Sequence, residues 1–362
     1  MQRSRSHLFI IFILCCFSEG IFGQEKKEYN ITAVAFYNLE NLFDIYDDPK
    51  TFDDDRTPQG KDRWTEAKYR DKLKNMAYAI SRIGFSETNA PPVIIGVCEI
   101  ENLQVLEDLV AEPALEPFNY GIIHYDSPDL RGIDVALLYR KQLFMPEHSV
   151  SHELILYDPE EPDKRVYTRD QLVVAGLLQG ERVHVIVNHW PSRSGGEKAS
   201  SPKREKAALL NRQIVDSLFR TDPYARIISV GDFNDDPHNK SLKKVLGAKS
   251  EKKEVGFKEL YNPMAPLAKK GIGSLAYRDG WNLFDQIIVS SSFLDSDYSR
   301  FTYYKAGIFN EQFLVTPSGQ YKGYPFRSFG DGGFTGGYSD HFPVYVLLIK
   351  EKTLEPGAPG NP

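Results

Sequence analysis

Apolar segments of this sequence repeatedly end in a carboxylate, amide or imidazole side chain, and these are the side chains that could do chemistry. Such segments are followed by Asn38, Glu40, Glu99, His189, Asp232 and Asn234, whereas Asp285 lies within a segment and Asp340 and His341 stand just before the last one. Taken singly, an Asp or Asn after a strand is an ordinary turn residue, and a lone His is more often structural. Six such segment ends in one chain favour a common site, because strand ends at one edge of facing sheets converge.

The types of these side chains favour a hard divalent cation. Carboxylate and amide oxygens with few imidazoles and no thiolates suit Mg²⁺, with Mn²⁺ or Ca²⁺ as alternatives, rather than Zn²⁺. Histidines that do not bind the metal are free to contact a phosphoryl group or to transfer protons. Because no residue pairing resembles a Ser or Cys nucleophile with its base, the pattern predicts attack by an activated water.

The elements that must position these residues are mostly strands, because short segments rich in β-branched and aromatic residues precede them. The predicted strands are Ile31–Tyr37, Pro92–Cys98, Gly121–His124, Asp134–Tyr139, Gln171–Leu178, Arg182–Asn188, Ala225–Val230, Asn282–Ser290 and Val344–Ile349. Helical periodicity is found in Thr65–Ile83 and Pro202–Phe219. Several strands are too close together for crossover helices. The sequence therefore predicts an α/β fold with two facing mixed or antiparallel sheets covered by helices.

The two ends of the chain differ from its middle. Residues 1–23 have the pattern of a signal peptide, with Arg3 and Arg5 before a short apolar run, so we expect export to the periplasm or beyond. An uncleaved membrane anchor is the alternative. Residues 29–350 contain no linker and no repeat and are expected to form one catalytic domain. Residues 351–362, rich in Pro and Gly, are predicted to be a disordered tail.

Composition limits the classes of function. The formal net charge of −6 argues against a protein that coats nucleic acid with a broad basic surface. It does not exclude a nuclease, since a metal ion can focus positive charge in one cleft. Without the leader, Cys98 is the one remaining cysteine, so an intrachain disulfide framework is excluded and a buried position is expected for it.

Seven sequence motifs, in order, resemble the endonuclease/exonuclease/phosphatase superfamily of deoxyribonuclease-like and apurinic-endonuclease-like enzymes. They are FYNLENLFD at 36–44, GVCEIEN at 96–102, RGIDVALLYR at 131–140, NHWPSRSGG at 188–196, GDFND at 231–235, WNLFDQIIVS at 281–290 and SDHFPV at 339–344. The order of GDFN and SDHFPV around an aspartate-bearing strand is the most specific feature. NHWPSRSGG and the long segment between Phe43 and Trp64 resemble a secreted bacterial branch. The resemblance implies a four-layer α/β sandwich.

The resemblance also implies which residues hold the metal. Glu99 resembles the principal metal-binding carboxylate. Asn38 and Glu40 resemble the first-strand pair near the metal, and Asp340 resembles a carboxylate that fixes or neighbours it. Cys98 stands where relatives commonly have a glutamine.

Five further residues resemble the catalytic set of the superfamily. His189 stands where relatives place a His or Tyr against the scissile phosphate, and His341 resembles the imidazole that binds it. Asp232 resembles the residue that orients or deprotonates the attacking water, and Asn234 the amide that holds Asp232 and the phosphate. Asp285 resembles an aspartate that supports the histidine network or a second metal position.

Three residues are predicted to bind the substrate. Arg193 follows His189 closely and could meet a flanking phosphate, although a solvated loop explains it equally well. Arg131 is expected near the cleft, paired with Asp134. Trp281 could supply a base-stacking or lipid-facing rim, although such aromatic residues are more often simple packing.

An acidic segment lies between the first motif and the first predicted helix. It contains Asp47, Asp48, Asp53, Asp54 and Asp55. The segment matches no single calcium-loop spacing. A solvated loop is therefore the favoured interpretation, and a structural Ca²⁺ site is the alternative.

The leading functional hypothesis is a secreted nuclease that acts as a monomer on phosphodiester bonds of nucleic acid. Its rival is a lipid or small-molecule phosphoesterase, sphingomyelinase-like or inositol-phosphate-phosphatase-like, which the net acidity favours. A catalytically inactive binding module is the third hypothesis, and it would be expected to have lost at least one of the site residues.

Overall fold

The computed structural model describes residues 27–158 and 161–352. The predicted signal peptide and most of the predicted tail lie outside the described residues. Of that tail, Glu351 ends the last strand and Lys352 donates its backbone N–H to Glu28 O at 2.8 Å. Within the described ranges, no helix combines the length and the apolar character needed to cross a membrane.

Strands dominate the described chain. In order they are β1 (Tyr29–Leu42), β2 (Ile94–Ile100), β3 (Tyr120–His124), β4 (Asp134–Arg140), β5 (Phe144–His152), β6 (Leu156–Tyr157), β7 (Arg165–Val166), β8 (Gln171–Leu178), β9 (Glu181–His189), β10 (Ile227–Asp232), β11 (Ala248–Lys249), β12 (Leu260–Tyr261), β13 (Leu275–Tyr277), β14 (Gly280–Asn282), β15 (Asp285–Ser290), β16 (Thr302–Ile308), β17 (Phe329–Gly330), β18 (Gly333–Phe334) and β19 (Val344–Glu351). The α-helices are α1 (Glu66–Arg82), α2 (Phe85–Thr88), α3 (Leu103–Ala111), α4 (Glu197–Thr221) and α5 (Ala265–Lys269). Single 3₁₀ turns, and a π-helical turn at Ser241–Leu246, lie between them.

Two large sheets carry the fold. The first has six strands in the order β16-β19-β1-β2-β4-β3, and the second has seven in the order β11-β12-β15-β10-β9-β8-β5. Most neighbours are antiparallel, but three pairs are parallel, namely β1 with β2, β9 with β10 and β11 with β12. Both sheets are therefore mixed, as predicted.

The two sheets face each other across one apolar layer. Alternate residues of the first sheet, such as Val34 and Ile94, pack against Val187 and Val230 of the second. Gly96 permits this close approach, because a Cβ atom there would lie 2.6 Å from Val230 Cγ2. Cys98 is buried in the same layer.

Helices cover the outer face of each sheet, which completes the predicted four layers. On the first sheet, α1 and α3 contribute apolar side chains such as Leu73, Ile80 and Leu106 to the outer core. On the second, α4 contributes Ala207 and Val215. These helices are amphipathic, so each buries one apolar stripe on the sheet beneath it.

The helix predicted at Pro202 begins five residues earlier, at Glu197. Pro202 lies inside α4 and lacks the N–H needed for one helical hydrogen bond. Arg204 supports this first part of the helix, because its guanidinium donates to Glu197 O at 3.0 Å and to Ser200 Oγ at 2.8 Å. The other predicted helix agrees with α1 within one residue at each end.

The predicted strand Asn282–Ser290 is wrong at its beginning. Asn282 instead ends the β13–β14 hairpin, and the second-sheet strand begins at Asp285. The backbone N–H of Leu283 donates to Asp236 Oδ1 at 2.8 Å, which holds this break in place. Among the strands and α-helices of seven residues or more, β5, β16 and α3 were not predicted, and neither were most of the shorter elements.

Candidate active site

The register of the second sheet places three predicted site residues side by side. Asp232, the last residue of β10, is the Cα partner of His189 on β9 and of Asp285 on β15. All three side chains are buried. Because β10 runs parallel to β9 and antiparallel to β15, one sheet edge gathers residues from three separate parts of the chain.

The first sheet adds Asn38 and Glu99 from the facing strand ends. Asn38 Nδ2 donates to Asp232 Oδ2 at 3.2 Å across the interface between the sheets. Glu99 Oε1 lies 3.7 Å from His189 Nε2, and the same nitrogen lies 3.7 Å from Asp232 Oδ2. The site therefore spans both sheets.

The backbone at these strand ends is unusual. Glu40, Asn41, Glu99 and Asn234 have φ values of 47°, 56°, 58° and 51°, in the left-handed region that non-glycine residues rarely adopt. The strand pairing shifts register at the same places, between Asn38 and Leu42 of β1 and between Cys98 and Ile100 of β2. Such conformations cluster at functional sites, where the surrounding structure holds them.

The loop before β19 brings His341 against Asp285. His341 Nδ1 lies 2.6 Å from Asp285 Oδ2, and Ser274 Oγ donates to the same oxygen at 2.5 Å. The loop is fixed locally, because the His341 N–H donates to Ser339 Oγ while that hydroxyl donates to Asn38 O. One ligand atom each of Asp232, Asp285 and His341 lies within 4.8 Å of the others.

Burial and charge separate the two histidines of the site. Burial lowers the pKa of His189 well below its usual value, and the positive charges of Arg169 and Arg131 act in the same direction. Burial would also lower the pKa of His341, but the negative charge and hydrogen bond of Asp285 raise it well above its usual value. His341 is therefore cationic and His189 neutral near neutral pH.

Asp232 has a perturbed carboxyl group. Burial, together with the negative charges of Asp285 and Glu99, raises its pKa to about 7 against the opposing charge of His341. An acid that titrates near neutral pH can exchange protons with water or substrate at the pH of most biological fluids.

The donor set fits a hard divalent cation. Asp285 Oδ1 is buried and has no hydrogen-bond partner among the described residues. One carboxylate oxygen of Asp285 lies within 4.8 Å of one of Asp232, and the carboxylate of Glu99 faces the same centre. Uncompensated oxygen charges of this kind are the ligands that Mg²⁺, Mn²⁺ and Ca²⁺ prefer, and no sulfur ligand is present among them.

Asn234 holds Asp232 in a different way from that implied by the resemblance. Its backbone N–H, not its side-chain amide, donates to Asp232 Oδ1 at 2.9 Å. The side-chain Nδ2 donates to Trp190 O at 3.0 Å. The left-handed φ of Asn234 turns its N–H toward the carboxylate, which the sequence pattern could not reveal.

The carboxylate oxygens of Glu40 accept hydrogen bonds from a neighbouring loop, so they are not free to bind a metal. Its buried carboxylate accepts the backbone N–H groups of Ser328 at 2.5 Å and Phe329 at 3.3 Å. Burial and the negative charge of Asp340 raise its pKa to about 8, against the positive charges of Lys72 and Arg327. The carboxylate of Asp340 is partly exposed beside His341, with Oδ1 3.9 Å from His341 Nε2.

The predicted pair between Arg131 and Asp134 is wrong. Asp134 Oδ2 lies 2.9 Å from His124 Nε2, and Arg131 Nε instead lies 3.7 Å from Asp129 Oδ1. Arg131 remains half-exposed, and its charge acts on His189. It is thus placed at the entrance to the centre.

Trp281 and Arg193 have different surroundings. Trp281 is 40% exposed, and its ring stacks nearly parallel on Phe342, the residue after His341, with centroids 6.1 Å apart. Arg193 is surrounded by acceptors, with Nη2 3.3 Å from both Asp235 and Asp236 and Nε donating to Asn234 O at 3.0 Å. This network holds the loop after β10, which differs from the predicted contact with a substrate phosphate.

Three further residues at this centre are not indicated by the sequence pattern. Arg327 bridges two site carboxylates, with Nε 3.4 Å from Glu40 Oε1 and Nη2 3.4 Å from Asp340 Oδ2. Arg169 is buried and donates to Trp190 O, and Ser274 donates to Asp285. None of the three follows a predicted strand that ends at the centre, so the strand-end signal could not identify them.

Comparison with known proteins adds a family. The family model described as Endonuclease/Exonuclease/phosphatase family matches residues 33–350. Among curated protein sequences, none matches this chain.

Several solved structures share the fold. A humanized TDP2 of D. rerio has a TM-score of 0.53 and 13% sequence identity, covering 88% of this chain and 99% of that chain. An endonuclease/exonuclease/phosphatase family protein of Bacteroides thetaiotaomicron has a TM-score of 0.52 and 20% identity, covering 89% and 98%. A mannosyl-6-phosphatase of the same organism has a TM-score of 0.51 and 20% identity, covering 88% and 99%. At these identities the likeness shows the fold.

Proposed function

The chain belongs to the endonuclease/exonuclease/phosphatase family, and from this premise we propose that it is a metal-dependent phosphoesterase that uses an activated water. The observation that carries the proposal is the convergence of Asp232, Asp285 and His341, whose ligand atoms lie within 4.8 Å of one another. Glu99 faces this group from the other sheet. Phosphoesters resist hydrolysis because negative oxygens shield the phosphorus, so this concentration of acidic and imidazole groups matches the need for a cation and a proton carrier.

Glu99 and Asp285 would hold the cation, with Asp340 beside it. A divalent cation supplies charge neutralisation for the phosphate and for the leaving oxygen. We infer Mg²⁺ as the ion, with Mn²⁺ or Ca²⁺ as alternatives, because the donors are hard oxygens.

The other catalytic roles, proton transfer and phosphate binding, belong to protein side chains. Asp232, whose pKa is raised by burial to about 7, accepts a proton from the water or orients it for in-line attack. Cationic His341 donates a hydrogen bond to a phosphate oxygen, while Asp285 keeps its imidazole charged and oriented. His189, kept neutral by burial, contacts the phosphate from the β9 side without adding a second positive charge.

The first candidate substrate is nucleic acid, as the sequence motifs predict. Arg131 and Trp281 support this candidate, since a half-exposed Arg can meet a flanking phosphate and a half-exposed Trp ring can stack on a base. We propose that the enzyme acts outside the cytoplasm, because residues 1–23 have the pattern of a signal peptide. That it acts as a monomer stays a prediction.

The second candidate is a small-molecule phosphoester, and a specific surface favours it. A groove of about 480 Å³ beside β2 is lined by acidic side chains, among them Asp44, Asp47, Asp48, Glu101 and Asp126. A long polyanion is repelled by such a surface, whereas a compact phosphoester need not cross it. The mannosyl-6-phosphatase with the same fold makes sugar phosphates a reasonable member of the test set.

The test is a substrate panel with a matched inactive variant. Purified protein is incubated with bis-p-nitrophenyl phosphate, plasmid DNA, RNA, sphingomyelin, phosphoinositides and mannose 6-phosphate, each with Mg²⁺, Mn²⁺, Ca²⁺ or chelator. We expect metal-dependent release from at least one substrate, and none from Asp232→Asn. The preferred substrate distinguishes the nuclease from the small-molecule or lipid enzyme. Folded protein that is inactive on all of them with every metal contradicts the proposal and favours a binding module.

A further inference from the structure

The acidic loop between β1 and α1 contains three carboxylates that converge away from the active centre. Carboxylate oxygens of Asp47, Asp53 and Asp54 lie within 4.8 Å of one another. Asp47 and Asp54 are exposed, whereas Asp53 is only 2% exposed. Carboxylates at this separation repel one another unless a positive charge lies between them.

Asp53 supplies an independent indication of a ligand. Its Oδ2 accepts the backbone N–H of Asp48 at 2.9 Å, but its buried Oδ1 has no hydrogen-bond partner among the described residues. Leaving a buried carboxylate oxygen unpaired is costly, and buried charges are normally paired or bound to a metal. Lys50 and Arg56 both lie three residues from Asp53 along the chain. Arg56 forms an ion pair with Asp62 and lies over the Phe329 ring, and among the described residues Lys50 forms no ion pair with Asp53. Arg56 therefore does not neutralise the Asp53 carboxylate.

Two backbone hydrogen bonds connect the loop to segments beside the active-site entrance. The backbone N–H of Asp44 donates to Glu101 Oε2 at 2.7 Å, two residues beyond Glu99. The backbone N–H of Phe52 donates to Leu130 O at 2.8 Å, next to Arg131. Anything that stiffens this loop would therefore stiffen the segment that carries Arg131.

We propose that Asp47, Asp53 and Asp54 form a second cation site, separate from the active centre, that binds Ca²⁺. Three carboxylates on an irregular loop suit Ca²⁺, which accepts six to eight oxygen ligands in flexible geometry. Mg²⁺ suits the loop less well, since it requires a near-octahedral arrangement and usually takes only one or two protein carboxylates. Backbone carbonyls of the loop and water supply the remaining ligands. Bound Ca²⁺ neutralises the buried Asp53 carboxylate and holds the loop against the entrance.

The experiment measures Ca²⁺ binding by isothermal titration calorimetry on the full chain carrying Glu99→Gln, which weakens the active centre as a competing site. Asp53→Asn and Asp54→Asn are then added separately. Asp54 is exposed, so Asp54→Asn tests the site even if the buried substitution hinders folding. The matched control is Asp55→Asn, which removes a neighbouring exposed carboxylate of the same loop that does not belong to the cluster.

We expect one Ca²⁺ per chain in the Glu99→Gln protein, with affinity lowered at least about tenfold by either test substitution and unchanged by Asp55→Asn. In thermal unfolding, Ca²⁺ should raise the Tm of the Glu99→Gln protein and of its Asp55→Asn variant, and this rise should be lost in the two test variants. Absence of Ca²⁺ binding in the Glu99→Gln protein would overturn the proposal, as would an equal loss of affinity in all three loop variants. The catalytic assay does not enter this comparison, so the two proposals can fail independently.

Discussion

Among the single residues of the site, His189 and His341 lie in the same buried centre but carry different charges. The difference arises from their partners, since Asp285 contacts His341 at 2.6 Å while two arginines act on His189. Environments that push the pKa values of neighbouring titratable groups apart are typical of acid–base sites. A neutral imidazole and a cationic one can therefore serve different roles within one site.

Asp232→Asn and His341→Ala should each lower kcat/KM by about 10²–10⁴, the range that a positioned acid–base group contributes. Asn cannot accept a proton from water, and Ala removes the charged donor for the phosphate oxygen. The measurement is hydrolysis of the preferred substrate, with circular dichroism to verify the fold. Asp331→Asn, an exposed carboxylate on the β17–β18 turn, is the control. Wild-type rates in both test variants would contradict the assignment.

The raised pKa of Asp232 predicts how stability depends on pH when metal is removed. The pKa is about 7 in the native state and 3.8 as the ordinary value. The native state holds this proton more tightly than the unfolded state does. Its contribution to the free energy of unfolding is therefore fully present below about pH 4 and is lost as pH rises through about 7. In chelator, the Tm of wild type relative to Asp232→Asn should therefore fall across this interval.

Differential scanning fluorimetry from about pH 4 to about pH 8 measures this difference. Because Glu40 and His341 also have raised pKa values, only the difference between wild type and variant isolates Asp232. Added Mg²⁺ should raise the wild-type Tm at the upper end, since it binds the ionised site. A difference that is constant with pH would show that Asp232 does not titrate there.

The close approach of strand β2 to the second sheet depends on Gly96, which has no side chain. A Cβ atom at Gly96 would lie 2.6 Å from Val230 Cγ2 and 3.1 Å from Val187 Cγ1. Glu99 follows Gly96 on β2, and Asp232 follows Val230 on β10. The spacing of the two sheets at this point therefore sets the distance between site residues that they carry.

Gly96→Ala should destabilise the protein by about 1–3 kcal/mol, because overpacking forces the strands to shift. It should also lower kcat, since Glu99 and Asp232 move apart with the sheets. Urea unfolding gives the free energy, and the substrate assay gives the rate. The control is Gly332→Ala, where an added Cβ meets nothing within 4 Å, so a change below about 0.5 kcal/mol is expected. Equal effects at both positions would contradict the role given to the inter-sheet spacing.

In the molecule as a whole, each sheet has its own outer core, but the apolar layer between the sheets belongs to both. Trp64 lies in the outer core of the first sheet and Trp190 in that of the second. Because the shared layer and the active centre both join the sheets, neither sheet can separate without exposing apolar surface and breaking the site.

We therefore expect the described part of the chain to unfold as one cooperative unit. Two variants test this, one keeping Trp64 and one keeping Trp190 as the single tryptophan. In each, the fluorescence transition in urea should coincide with the transition measured by far-ultraviolet circular dichroism. Separate midpoints in either variant would show that one half unfolds before the other.

Much of the fold could be predicted from the sequence, because the signals are local. β8 has the predicted bounds, and α1 agrees within one residue at each end, since apolar periodicity reports which face of an element is buried. The amphipathic α3 and the half-exposed edge strands β5 and β16 were missed. Edge strands bury less apolar surface, so their pattern is weaker.

The residue types at the strand ends can be read directly from the amino-acid sequence, and they predict a candidate centre of oxygen donors and two imidazoles. Tertiary structure decided what each donor contacts. Only the left-handed turn at Asn234 directs its backbone N–H to Asp232, and only the packing of the segment before β17 places Arg327 beside Glu40. It also separated Arg131 from Asp134 and enclosed Arg193 among carboxylates. Side-chain types are local properties of the chain, whereas hydrogen-bond partners depend on the packing of segments distant in sequence.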